Sequence, residues 1–312
     1  MTVDNVAIRT VVPILLLIGI GAASKKFGIL KPGDERVLSS YIYYFALPAL
    51  LLVNIAETIF TAQTLKFMVA GVIPVITVLL IYLILHILFR FARNSFYLLT
   101  LSTIFGSWGF YGIPFVMFAF PTRQAERLAI LALVSIAVVS FSIALTILEL
   151  YKLRKTTIGK GLLQVAKRLS RNPLILSIAC GFLLALTGIK LPSPLATSLH
   201  MLGGTTATVA IFLLGAFLYG RKYTNIITAL KLGSLKILLL PLIAVVTTRL
   251  LNISDPERSI LILMHAMPVA LSMIVLSERY DFYKDTIATL ILVSSIGAVV
   301  YLNLWLFVLG HH

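Results

Sequence analysis

A histidine and two prolines stand where an apolar chain has least use for them. His265 precedes Pro268 by three residues in the apolar stretch Ser259–Ser277, and Pro114 closes Gly109-Phe-Tyr-Gly-Ile-Pro114 in the stretch Ser102–Phe120. A proline inside a helix removes one hydrogen bond and clashes with the preceding turn. In lipid the freed backbone groups cannot turn to water, so such a break survives only against protein or an aqueous cavity. Helix ends exposed at a break carry unsatisfied amides and a partial positive charge, enough to hold an anion without an ionised lysine or arginine. His265, whose ordinary pKa is ~6.5, adds a cation when protonated or relays a proton. The alternative is a neutral imidazole bonded to a carbonyl that the proline frees. Two breaks in corresponding halves of a chain point to a solute site at mid-membrane.

Enzyme chemistry finds little to work with. The chain has no His-Glu-x-x-His, no Gly-x-Ser-x-Gly, no phosphate-binding Gly-rich Lys-Ser/Thr loop and no Cys/His cluster. His265 with Ser272 or Ser277 is the one thin base and nucleophile set. No cofactor or metal is expected, and no motif for an ATP-driven pump is present.

The elements that must position these residues are transmembrane helices. Of 312 residues, 60% are hydrophobic and 12% charged, and the mean hydropathy is +1.04, far outside the soluble range. Roughly 20 apolar residues cross a bilayer as a helix. Ten such stretches are expected, at 6–24, 37–57, 67–89, 97–120, 128–151, 172–188, 203–220, 232–251, 259–277 and 285–309. The expected fold is thus all-α and polytopic. The first stretch lacks the basic leader and cleavage site of a signal peptide. Cys180, the single cysteine, lies within a stretch and is expected to pack inertly. His311-His312 resembles the stub of a purification tag and is set aside.

A net charge of +15 invites a nucleic-acid reading, but no basic and aromatic soluble module exists to carry one. The charges instead sort by side. With both termini outside, the inner loops collect 19 of the 26 basic residues, the asymmetry of a positive-inside topology. They also grip anionic lipid headgroups. The densest run, 152–171, holds no acid and reads as a cytoplasmic linker between 1–151 and 172–312.

The two halves resemble each other. Pro13-Ile-Leu-Leu-Leu with Gly21, Gly28 and Pro32 recurs 160 residues later as Pro173-Leu-Ile-Leu with Gly181, Gly188 and Pro192. Leu131-Ala-Leu-Val-Ser135 recurs as Leu290-Ile-Leu-Val-Ser294, at an offset of 159. Five spans per half is odd, so the second copy enters from the opposite side. The result is a 5+5 inverted repeat whose two broken spans cross.

Four stretches carry a resemblance to a known family: Tyr43-Tyr-Phe-Ala-Leu-Pro-Ala-Leu-Leu-Leu, Gly109-Phe-Tyr-Gly-Ile-Pro114, Leu202-Gly-Gly-Thr-Thr-Ala-Thr with Leu214-Gly215, and His265-Ala-Met-Pro268 with Val275-Leu-Ser-Glu-Arg-Tyr280. Together they resemble the auxin efflux carrier family, which includes plant auxin exporters and bacterial malonate or malate permeases. The resemblance implies crossed broken helices, a scaffold of helices 1, 2, 6 and 7, and a transport domain of helices 3–5 and 8–10. It also implies export or import of a small organic anion, an elevator-like motion and pairing of two copies through the scaffold. The family commonly carries an asparagine before the first crossover; here the matching position is Ser107, beside Trp108. Serine donates one hydrogen bond where asparagine donates two. Trp108 offers an aromatic wall to a substrate or simply packs. The residues expected at the substrate are therefore Ser107, Trp108, Gly109, Pro114, His265, Ala266 and Pro268, with Asn54 as a scaffold-side contact. An anion-selective channel or a uniport facilitator is the alternative.

Among the remaining polar residues, His86, Glu57 and Glu149 fall at span ends and are expected to reach water or headgroups. Glu278 and Arg279 are expected to close the ninth span at the cytoplasm. Lys66, Lys231 and Lys236 are expected to snorkel from span ends. No acid falls in the middle of a span on these boundaries, which disfavours a carboxylate-based sodium or proton site and leaves uniport or a histidine relay.

Overall fold

The structure is a computed structural model that describes residues 6–31, 33–152, 166–167, 170–220 and 223–311. Among these residues it is all helical apart from connections and one short backbone pairing. Most of the basic run expected as a linker lies outside the described residues.

The chain begins with α1 (Val6–Lys26), then α2 (Asp34–Tyr41) and α3 (Leu47–Ala56), which are joined by a π-turn at Ile42–Ala46. Next come α4 (Ala62–Phe89), α5 (Arg93–Ile104), a second π-turn at Trp108–Gly112, α6 (Ile113–Ala119) and α7 (Arg123–Lys152). The second half holds α8 (Pro173–Thr187), α9 (Ser193–Leu218), α10 (Ile226–Leu250), α11 (Glu257–Ala266), α12 (Met273–Tyr280) and α13 (Lys284–Val308). Among the described residues, six segments, against the ten expected, are long and apolar enough by themselves to cross a membrane: 34–56, 62–89, 123–151, 193–218, 226–250 and 284–308.

Local sequence explains the helix limits. Thr61 accepts from the Thr64 amide and Thr64 Oγ1 accepts from the Thr61 amide, a capping box that starts α4. Asn172 Oδ1 accepts from the Leu174 amide with Pro173 in the first turn, which starts α8. Several helices begin earlier than hydropathy suggests, and in two of them the extension is largest. α9 starts at Ser193 rather than 203, because Pro194 fits a first turn and the polar Thr197, Ser198 and His200 hide the start from an apolar window. α10 starts at Ile226 rather than 232, which carries Lys231 and Lys236 inside it.

Glycines set the closest packing. A Cβ on Gly21 of α1 would fall 1.9 Å from the Phe212 carbonyl oxygen of α9, and one on Gly215 of α9 would fall 2.0 Å from that of Ile18. Gly203 of α9 presses on the Leu50 backbone and Gly181 of α8 on Ile55, both in α3. Small residues let backbones meet where lipid supplies no hydrophobic drive between helices. So α1, α3, α8 and α9 pack as one group. α10 lies elsewhere, against α4, α5, α11 and α13. Cys180 on α8 is exposed and does not pack; the tight face of that helix belongs to Gly181.

Candidate functional site

Two helices stop inside the bundle and meet. α5 ends at Ile104, α11 ends at Ala266, and the segments that follow run antiparallel past each other at Gly106 and Val269. The Ser107 amide donates to the Pro268 carbonyl (2.8 Å) and the Ala270 amide donates to the Phe105 carbonyl (3.1 Å). The Val269 amide donates to Ser294 Oγ of α13 (3.2 Å). Two broken helices thereby satisfy much of each other's exposed backbone, as buried polar groups require.

The prolines do different work. Pro268 lies within the extended segment itself, where a missing N–H costs no ladder bond and its carbonyl accepts from Ser107. Pro114 is not at the break. It sits in the first turn of α6, where a proline is tolerated, seven residues beyond Ser107. The first break instead falls at 105–107, and the Ser107 carbonyl then accepts from the Tyr111 and Gly112 amides (2.9 and 3.0 Å) to start the π-turn. Gly106 and Gly112 permit the approach: a Cβ on Gly112 would fall 2.9 Å from Met264 Sδ.

The residue that sequence reasoning misplaced is Lys236. It does not snorkel from a span end but is fully buried. It lies ten residues into α10, about 15 Å along the helix. Because α10 is surrounded by α4, α5, α11 and α13, its tip meets protein rather than water. Nζ has no hydrogen-bond partner among the described residues and stands 5.7 Å from the centroid of the Trp108 ring, a cation–π contact. A Cβ on Gly106 would fall 3.0 Å from Nζ and 2.9 Å from Trp108 Nε1, so both groups close on the crossing. The signal was present: Lys236 is followed by Ile-Leu-Leu-Leu-Pro-Leu and has no polar face to share. An ionisable residue in such a run is a functional candidate by default.

His265, in the last turn of α11, is also fully buried. Neither ring nitrogen makes a well-formed hydrogen bond; the Gly71 carbonyl of α4 faces the ring and Lys236 is within electrostatic reach. The Trp108 indole N–H and the hydroxyls of Tyr111 and Tyr301 are buried and without a partner among the described residues as well. The structure thus gathers Ser107, Trp108, His265, Ala266 and Pro268 around the crossing with Lys236. Gly109 faces away from it, where a Cβ would meet Leu47 and Leu133 at 3.1 and 3.3 Å. Asn54 is buried and its amide donates to the Leu50 carbonyl of its own helix (2.9 Å).

Other polar residues are structural ties. Glu57 pairs with Arg127 (3.3 Å) and His200 (2.9 Å), joining the ends of α3, α7 and α9. His86 stacks on Phe96 near the end of α4. Glu149 does not reach water as expected: it is buried and accepts from the Tyr280 hydroxyl (2.6 Å), because α12 packs against the end of α7. An apolar groove of about 680 Å³ between α4, α7 and α8 shares no lining residue with the crossing.

The sequence matches a family described as membrane transport protein over residues 6–306. It is 24% identical over 301 residues to an uncharacterized transporter of Methanocaldococcus jannaschii, covering 94% of this chain and 95% of that one. It is also 24% identical over 139 residues to the uncharacterized transporter YfdV of Escherichia coli K12, covering 45% of this chain and 44% of that one.

Proposed function

Starting from the premise that this chain belongs to the membrane transport protein family, the group of the auxin efflux carriers, we propose that it is a secondary transporter of a small organic anion that works by alternating access at the helix crossing. The observation that carries this reading is the antiparallel meeting of two interrupted helices at Gly106 and Val269. Helix ends and unwound backbone at such a point offer dipoles to a solute while the surrounding helices exclude lipid.

In this reading the helices form a 5+5 inverted repeat in the plasma membrane with both termini outside. The group of α1, α3, α8 and α9 is the scaffold, through which two copies pair. The remaining helices carry the crossing past it. Rigid-body motion suits this division, since interlocked glycines hold the scaffold as one unit for the other helices to move past. The experiment is counterflow in proteoliposomes preloaded with a small carboxylate. A carrier gives saturable uptake that rises with unlabelled substrate on the far side; a channel gives neither.

A further inference from the structure

We propose that Lys236 is the fixed positive charge that pairs with the substrate's carboxylate beside the crossing, with the Trp108 indole N–H as its second donor. The inference rests on the transport reading above and assigns it a residue and a charge.

Four observations converge. Lys236 is fully buried with no hydrogen-bond partner, and no carboxylate among the described residues pairs with it. An ammonium removed from water without a counter-ion is costly, and such a group is retained where something pairs with it. Its ammonium stands over the face of Trp108, an attraction weaker than a charge-assisted hydrogen bond. Trp108 Nε1 is itself a buried donor without an acceptor among the described residues. Finally, Nζ and Nε1 lie at 3.0 and 2.9 Å from the position a Cβ would take on Gly106. Only glycine lets both donors stand this close to the crossing backbone, so the two come together beside it. A carboxylate that reaches the pair draws the ammonium off the indole face and accepts from both.

The charge count gives a consequence for selectivity. One fixed cation balances one carboxylate, so a monoanion fills the site to neutrality and a dianion leaves a charge uncompensated in a low-dielectric interior. The aromatic wall of Trp108 favours a monoanion with a flat apolar body.

The test uses the purified full chain and three probes: phenylacetate, its neutral isostere phenylacetamide, and malonate. Wild-type protein is expected to show a rise in Tm with phenylacetate that exceeds the rise with malonate and is absent with phenylacetamide. Lys236→Gln is expected to weaken phenylacetate binding roughly 10- to 100-fold, the range for losing a charge-assisted hydrogen bond. Gly106→Ala keeps the charge but pushes Lys236 Nζ and the Trp108 indole from their places, and is expected to weaken binding comparably. Lys236→Met, without ligand, is expected to melt at or above wild type because a buried unpaired charge is gone. Equal phenylacetate binding by wild type and Lys236→Gln overturns the role of Lys236 and leaves the transport reading standing. Absence of any carboxylate response in wild type overturns the carboxylate reading and this inference with it. A ligand-free Tm more than about 5 °C below wild type in both Lys236 variants makes the residue structural and also overturns the proposal.

Discussion

The helix group of α1, α3, α8 and α9 and the crossing at Gly106 and Val269 solve opposite problems with the same amino acid. In the first, glycine lets backbones touch: Gly21 against Phe212, Gly215 against Ile18, Gly203 against Leu50. In the second, Gly106 keeps backbone clear of two donor side chains. The contrast extends to polar atoms. Of ten buried side-chain nitrogens and oxygens without a partner among the described residues, six belong to Trp108, Tyr111, Lys236, His265 and Tyr301. Natural proteins keep such atoms few, and a concentration of them calls for a cause. Close packing belongs to the part proposed above as the scaffold, and unmet hydrogen-bonding capacity to the part proposed as the solute site.

The largest expected effect would break the first region. Gly215→Leu drives a side chain into the Ile18 carbonyl, 2.0 Å from even a Cβ. Backbone cannot yield as a side chain can, so no monodisperse protein should be recovered by size-exclusion chromatography. A normal elution profile would show that α1 and α9 do not need this contact.

Next is a comparison within the crossing. Pro268 lies in the unwound segment and Pro114 in the first turn of α6. Pro268→Ala lets α11 extend into the break and should reduce proteoliposome uptake more than tenfold, a loss of about 1.4 kcal/mol or more of functional free energy. Pro114→Ala sits where helix is already formed and should reduce uptake less than threefold. Equal losses would mean that both prolines shape the break.

His265→Gln should have a smaller effect. It retains a donor beside the Gly71 carbonyl and leaves Lys236 in place, so binding of phenylacetate should weaken by roughly threefold to tenfold, about 0.7–1.4 kcal/mol. A loss equal to that of Lys236→Gln would make the two residues one unit.

The smallest effect belongs to the half-exposed tie at Glu57, whose partners Arg127 and His200 are themselves 45% exposed. Exposed ion pairs contribute about 0–1 kcal/mol, so Glu57→Gln should lower Tm by no more than about 2–4 °C. A larger drop would show that this tie holds α3, α7 and α9 together rather than trimming their ends.

Some of this was legible in the chain itself. Hydropathy located helical segments because each apolar run must supply its own backbone hydrogen bonds in lipid, a local requirement. The motif around His265-Ala-Met-Pro268 marked the second break for the same reason: a proline's missing N–H is a property of one residue. The family resemblance, too, rests on short strings of adjacent residues. What the sequence by itself could not decide was where distant segments meet. Lys236 looked like a span-end lysine because its depth depends on where α10 begins and on which helices enclose it. Pro114 looked like the first break because nothing in its own segment shows that 105–107 pairs with the extended segment at 268–270. Glu149 looked exposed until Tyr280 arrived from another helix. Charge burial, the partner of an unwound backbone and the approach of two donor side chains to a glycine are relations between segments, and only tertiary contact fixes them.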